Sequence, residues 1–75
     1  MNDTTPPHVQ RMLIERYELF KKVLDLKKFI DENPLFKTLP EGEQTDMREQ
    51  LGFMALYQKA LESRIRRADP QGVIA

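Results

Sequence analysis

Seventy-five residues make at most one small domain, and a chain this short rarely buries enough apolar surface to stand alone without a disulfide, a metal or self-association. With no cysteine and a single histidine, the first two staples are missing, which leaves self-association. Twelve basic and twelve acidic residues balance to zero formal charge, which speaks against generic binding of long nucleic acid. No apolar run approaches the roughly 20 residues of a membrane span, and the polar opening MNDTTPPH does not read as a signal peptide, so a cytoplasmic protein is expected.

Prolines mark the joints. Thr5-Pro6-Pro7 reads as a helix start, with Thr5 as the cap and proline tolerated in the first turn. Asn33-Pro34 reads as a stop, because the residue before proline is pushed out of the α region. Leu39-Pro40-Glu41-Gly42-Glu43 opens a second helix with acids near its positive end. Asp69-Pro70-Gln71-Gly72 closes it. The expected organisation is a disordered N-terminal tail over 1–5, a helical hairpin over 6–69 and a C-terminal tail over 70–75. Its helices fall near 6–32 and 41–68, each roughly 40 Å long.

Both helices carry apolar residues at alternating spacings of three and four. In helix 1 the series is Val9, Met12, Arg16, Leu19, Val23, Leu26, Ile30; in helix 2 it is Met47, Leu51, Met54, Gln58, Leu61, Ile65, Ala68. These are coiled-coil seams. In an antiparallel hairpin, facing residues have nearly constant number sums. Leu26 with Met47, Val23 with Leu51, Leu19 with Met54, Met12 with Leu61 and Val9 with Ile65 all sum to 73 or 74. The fold class is therefore all-α, an antiparallel hairpin of two long helices, with Leu35, Phe36 and Leu39 plugging the corner. Arg16 faces Gln58 in a single polar layer. It either sets the register with its head snorkelling to water or reaches a bound anion.

A second apolar stripe runs along each helix: Leu13, Tyr17, Phe20 and Leu24 on the first, Phe53, Leu56, Tyr57 and Ala60 on the second. Tyr17 and Tyr57 fall at matching heights, so one continuous exposed patch is expected across both helices. Large exposed apolar patches mark interfaces, and a homo-oligomer is the expected state. Gly52, inside helix 2, would permit close approach of another backbone, or is simply tolerated there.

Charge is polarised along the hairpin. The corner end holds Asp31, Glu32, Glu41, Glu43, Asp46 and Glu49 against Lys37 and Arg48, net −4. The open end holds Arg11, Arg16, Lys59, Arg64, Arg66 and Arg67 against Glu15, Glu62 and Asp69, net +3, with His8 in addition. Helix-dipole complementation accounts for Arg64, Arg66 and Arg67. It does not account for Arg11 and Arg16, in the early turns of helix 1. An anion site at the open end follows as a hypothesis. Arginine forks suit it, and Tyr17 or His8 can supply a stacking face.

Catalytic constellations are missing from the sequence. One serine, one histidine and no cysteine leave the usual nucleophile and base sets nearly empty. There is no phosphate-cradling glycine loop and no metal-ligand spacing. No enzyme activity, metal or cofactor is expected.

From His8 to Arg67 the chain resembles a family of small phage proteins. The resemblance is carried by His8-Val9-Gln10-Arg11-Met12, Glu15 and Leu19, then Val23, Leu26, Phe29-Ile30 and Phe36-x-x-Leu39-Pro40. It continues through Glu43-Gln44, Gln50-Leu51, Met54, Tyr57, Leu61 and Arg64-Ile65. These residues look like the hairpin domain shared by the phage anti-CBASS and anti-Thoeris sponge proteins. The resemblance implies a hexamer of helical hairpins that captures cyclic oligonucleotide second messengers of bacterial immunity without cleaving them. It implies an aromatic residue stacking a base of a cyclic dinucleotide between protomers and a lysine near a phosphate. It further implies, in some members, cyclic trinucleotide pockets lined by threonine and arginine, for which Arg64 or Arg67 is suited. The early positions of helix 1 offer His8 rather than a tyrosine; Tyr17 lies further along, Lys22, Lys27 and Lys28 each qualify as the lysine, and the first threonine after the N-terminus is Thr38.

The ligand-binding candidates are therefore His8, Arg11, Tyr17, Lys22, Arg64 and Arg67. The expected function is a sponge for cyclic di- or trinucleotides in the infected bacterial cell. The alternative is a small helical adaptor whose exposed stripe oligomerises or holds a partner helix, with no small ligand.

Overall fold

The computed structural model describes residues 5–72; of the expected tails over 1–5 and 70–75, residues 1–4 and 73–75 lie outside the described residues. Two long helices, α1 (Pro7–Glu32) and α2 (Glu41–Ala68), flank a short 3-10 helix, η1 (Pro34–Thr38). No strand occurs among the described residues. The molecule measures 49 × 18 × 17 Å. A 28-residue helix is about 42 Å long at 1.5 Å per residue, so the helices lie side by side and the chain turns back once.

The helix ends follow the proline logic, with one difference. Pro6, not Thr5, is the N-cap of α1, and no side chain caps it. Thr5 instead folds in at 3 % exposure, where its carbonyl accepts from Gln10 Nε2 at 2.7 Å and its hydroxyl has no partner. Proline at the cap holds extended backbone (ψ 143°), so the first carbonyl to enter the helical ladder is that of Pro6, which takes N–H bonds from Val9 and Gln10. At the far end Asn33 is extended (ψ 120°) because Pro34 follows it. Its side-chain oxygen accepts from the Leu35 N–H at 2.9 Å, starting η1. Pro40 opens α2, again without a side-chain cap, and Glu41 and Glu43 sit in the first turn, where the helix dipole favours them. Gln44 reaches back from α2 to donate to the carbonyls of Leu39 (2.9 Å) and Lys37 (3.3 Å), tying the corner to the helix.

One continuous core joins Val9, Met12 and Leu19 to Leu61 and Ile65, with Leu13, Val23, Met54 and Ala68 packed against it. The membership agrees with the antiparallel register of the two seams. Phe36 closes the corner at 1 % exposure. Its ring meets Phe29 edge-on at 6.1 Å, and the Arg48 guanidinium lies over it at 4.9 Å. Leu39 is half-buried beside it, but Leu35, expected in the same plug, is 61 % exposed. The tight η1 turn points successive side chains in different directions, and only one large ring fits under the helix ends.

Phe36 is the one large side chain that seals the corner. Phe36→Ala is expected to cost about 3–5 kcal/mol, seen as loss of most helical circular dichroism at 25 °C or a large drop in urea midpoint. Leu35→Ala at the same turn is expected to change stability by less than about 0.5 kcal/mol.

Candidate functional site

Heptad register assigns every exposed side chain to a side of the hairpin. Val9, Arg16, Val23 and Ile30 occupy the a positions of α1, and Leu51, Gln58 and Ile65 those of α2. Reversing the chain direction also reverses the sense of rotation, so the e and b positions of both helices share one flank and the g and c positions the other.

The first flank carries Leu13, Tyr17, Phe20 and Leu24 from α1. The second carries Phe53, Tyr57 and Ala60 from α2, with Leu56 on its outer edge. The surface concavities agree. One cleft of about 330 Å³ is lined by Leu13, Arg16, Tyr17, Phe20, Gln58 and Glu62. A separate groove of about 550 Å³ is lined by Asp46, Glu49, Gln50, Phe53, Met54 and Tyr57. The single continuous patch expected from matching heights is therefore two stripes on opposite flanks. Height fixes position along the axis but not rotation about it. Both stripes are open to solvent: Tyr17 is 64 % exposed and Phe53 67 %.

The flanks also differ in charge. On the Tyr17 flank four bases (Lys27, Arg48, Lys59, Arg66) stand against three acids (Asp31, Glu41, Glu62), net +1. On the Tyr57 flank four bases (Arg11, Lys22, Arg64, Arg67) stand against six acids (Glu15, Glu18, Asp25, Glu32, Glu43, Asp46), net −2.

The six candidate ligand residues divide unevenly. All are exposed. His8, Arg11, Arg64 and Arg67 fall together on the Tyr57 flank at the open end. Lys22 shares that flank but lies about 17 Å further along the axis from Arg11 at 1.5 Å per residue. Tyr17 is on the other flank and does not join them. Beyond His8, the aromatic residue on the arginine side that lies nearest the cluster is Tyr57, one heptad before Arg64 and 44 % exposed. The signal that could have found it is its heptad letter, g, which it shares with Arg64. The lysine beside Tyr17 is likewise none of the three nominated: Lys21 Nζ sits 5.8 Å from the ring centroid. That contact follows from i,i+4 spacing on one helix face, whereas Lys22 projects to the opposite flank.

The polar layer takes the first of the two forms read from the sequence, the snorkelling one. Arg16 is half-buried and its head leans out of the seam to Glu62, with Nη1 to Oε2 at 3.6 Å. Glu62 is one turn on from Gln58, so the layer is a snorkelling arginine with a loose ion pair at the cleft mouth. With both side chains about a third exposed (33 % and 36 %), the pair adds little stability.

Among the described residues no group of His, Cys, Asp or Glu is arranged to hold a metal ion, and no helix is long and apolar enough to cross a membrane. Two exposed apolar stripes and a cluster of exposed arginines define a small all-helical binding protein. A family model, Sequestin, matches residues 6–67, and the chain belongs to the Sequestin family, consistent with the phage cyclic-oligonucleotide sponges that its hairpin resembles. No curated protein and no solved structure matches the chain.

The Arg16–Gln58 layer interrupts an otherwise apolar seam. Replacing both residues with leucine is expected to raise unfolding free energy by about 1 kcal/mol or more, measured as a higher thermal midpoint at fixed protein concentration. A lower midpoint would show that the polar layer stabilises the hairpin.

Proposed function

We propose that this chain is a phage-encoded sponge: it binds cyclic oligonucleotide immune messengers and sequesters them without cleavage, inside the infected bacterial cell. The match to the Sequestin family over residues 6–67 carries this reading. The sequestering unit is the hairpin of residues 6–69, working as a homo-oligomer, a hexamer by resemblance, with ligand held between protomers.

The open end of the Tyr57 flank is the site this reading favours. Arg11, Arg64 and Arg67 bring planar guanidinium forks that donate to phosphate oxygens two at a time. Tyr57, in place of Tyr17, offers the nearest ring on that flank for a base to stack on, and His8 borders the cluster. Lys22 meets a ligand only if a neighbouring protomer brings the cluster to it. The sequence offers no cysteine and a single serine, Ser63, so the chemistry supported is capture. Sequestration then works by mass action: each bound messenger is removed from the pool its receptor samples.

A helical adaptor remains the second reading, favoured by the exposed apolar stripes. The two readings differ at the arginines. Titration calorimetry against a panel of cyclic di- and trinucleotides is expected to give saturable heat with at least one member. That ligand is expected to be recovered intact by chromatography after denaturation. The double variant Arg64→Ala/Arg67→Ala is expected to bind at least about tenfold more weakly with unchanged mass by light scattering. No heat from any member of the panel sinks the sponge reading and leaves the adaptor.

A further inference from the structure

We infer that the cleft on the Tyr17 flank is a site for a guanine base, with Arg16 and Glu62 reading the edge of the base and Tyr17 stacking on its face. The cleft lies on the opposite flank from the Arg11, Arg64 and Arg67 cluster, and the inference does not rest on the sponge reading.

The polar layer supplies the first observation. Arg16 and Gln58 interrupt the one seam of a small hairpin, where apolar residues would add stability. What the layer provides instead is three hydrogen-bonding heads in one place: Arg16, Gln58 and Glu62 line a single cleft with Leu13, Tyr17 and Phe20. The second observation is that those heads are not used up. Arg16 Nη1 and Glu62 Oε2 stand 3.6 Å apart, longer than a hydrogen bond, and each side chain keeps about a third of its surface open (33 % and 36 %). The third is the wall. Tyr17 and Phe20 are 64 and 51 % exposed and offer ring faces to a flat ligand. Lys21 stands over one face of Tyr17 at 5.8 Å, which leaves the other for a base.

The order of donors and acceptors selects the base. An arginine beside a carboxylate presents a donor fork next to a pair of acceptors. Guanine presents the complement along one continuous edge: O6 and N7 accept, and the adjacent N1–H and exocyclic amino group donate. Arg16 then donates to O6 and N7 while Glu62 accepts from N1–H and the amino group. Adenine sets an amino group where O6 would be, against the Arg16 donors. Cytosine offers Glu62 one donor group instead of two and has a single ring to stack. Size agrees. The cleft holds about 330 Å³, at the small end of the roughly 300–1,000 Å³ of ligand sites, which suits one base and not a whole dinucleotide. Lys59 and Arg66, three residues before and four after Glu62 on the same flank, are placed for a phosphate attached to that base.

The probe is guanosine monophosphate, titrated into the full isotope-labelled chain and followed by amide chemical shifts. Saturable shifts are expected at Arg16, Tyr17, Phe20, Gln58 and Glu62. Adenosine, cytidine and inosine monophosphates are each expected to bind at least about tenfold more weakly; inosine tests the amino group alone, because it lacks nothing else. Glu62→Gln is expected to erase the preference for guanosine over inosine monophosphate. Arg16→Leu/Gln58→Leu, which keeps the fold as its thermal midpoint shows, is expected to lose the cleft shifts. Arg64→Ala/Arg67→Ala is expected to keep them, which separates this site from the arginine cluster. Cyclic diguanylate, run alongside, distinguishes guanine carried by a cyclic nucleotide from guanine carried by a free one; the tighter of the two must weaken in Glu62→Gln. No saturable shift at the cleft with either probe overturns the inference, whatever the cyclic panel does at the arginines. Equal affinity for the adenine or cytosine nucleotide, or a guanosine preference untouched by Glu62→Gln, overturns it too.

Discussion

The structure depends on one constraint: two helices share only one seam. Each a and d residue that enters the seam is buried against its partner, and everything rotated beyond it is left in water. Val9, Met12, Leu19, Leu61 and Ile65 take the seam, and Phe36 takes the corner. Fully buried apolar side chains contribute about 1.5–3 kcal/mol each, which for so few of them is set against the ordering entropy of the whole chain. A lone hairpin of this size is thus marginal.

That shortage connects fold to function. A binding protein with little interior has to build its site from exposed side chains on rigid elements. Here the helices fix axial height and rotation, so residues far apart in sequence, such as Arg11 and Arg64, arrive at one place on one flank. The corner matters for the same reason. Asn33, Gln44 and Phe36, edge-on to Phe29, set where α2 begins relative to α1. A shift of one residue there would move every α2 side chain by about 100° relative to α1 and carry Arg64 away from Arg11.

The two flanks differ in net charge as well as in the stripe each carries. Apolar burial alone does not distinguish like pairing from unlike pairing, because it is not directional. The overall zero charge conceals this uneven distribution, since the corner and open ends carry excesses of opposite sign, as do the two flanks.

By itself the sequence determined the two helices, their ends and their antiparallel register. Proline geometry is local, and a spacing of three and four needs no knowledge of the partner. The basic open end was legible for the same reason, because height along a hairpin is arithmetic on residue numbers. Heights alone left rotation open; the heptad letters carry it once the antiparallel hairpin is given, and the tertiary structure settled it. It put Tyr17 and Tyr57 on opposite flanks, took Tyr17 away from the arginines and set Lys21 rather than Lys22 beside it. It also turned Leu35 outward while Phe36 went in, and sent Arg16 to Glu62 rather than to Gln58. Which side of a helix meets which side of its neighbour depends on handedness in three dimensions, and a one-dimensional pattern of heights does not contain it.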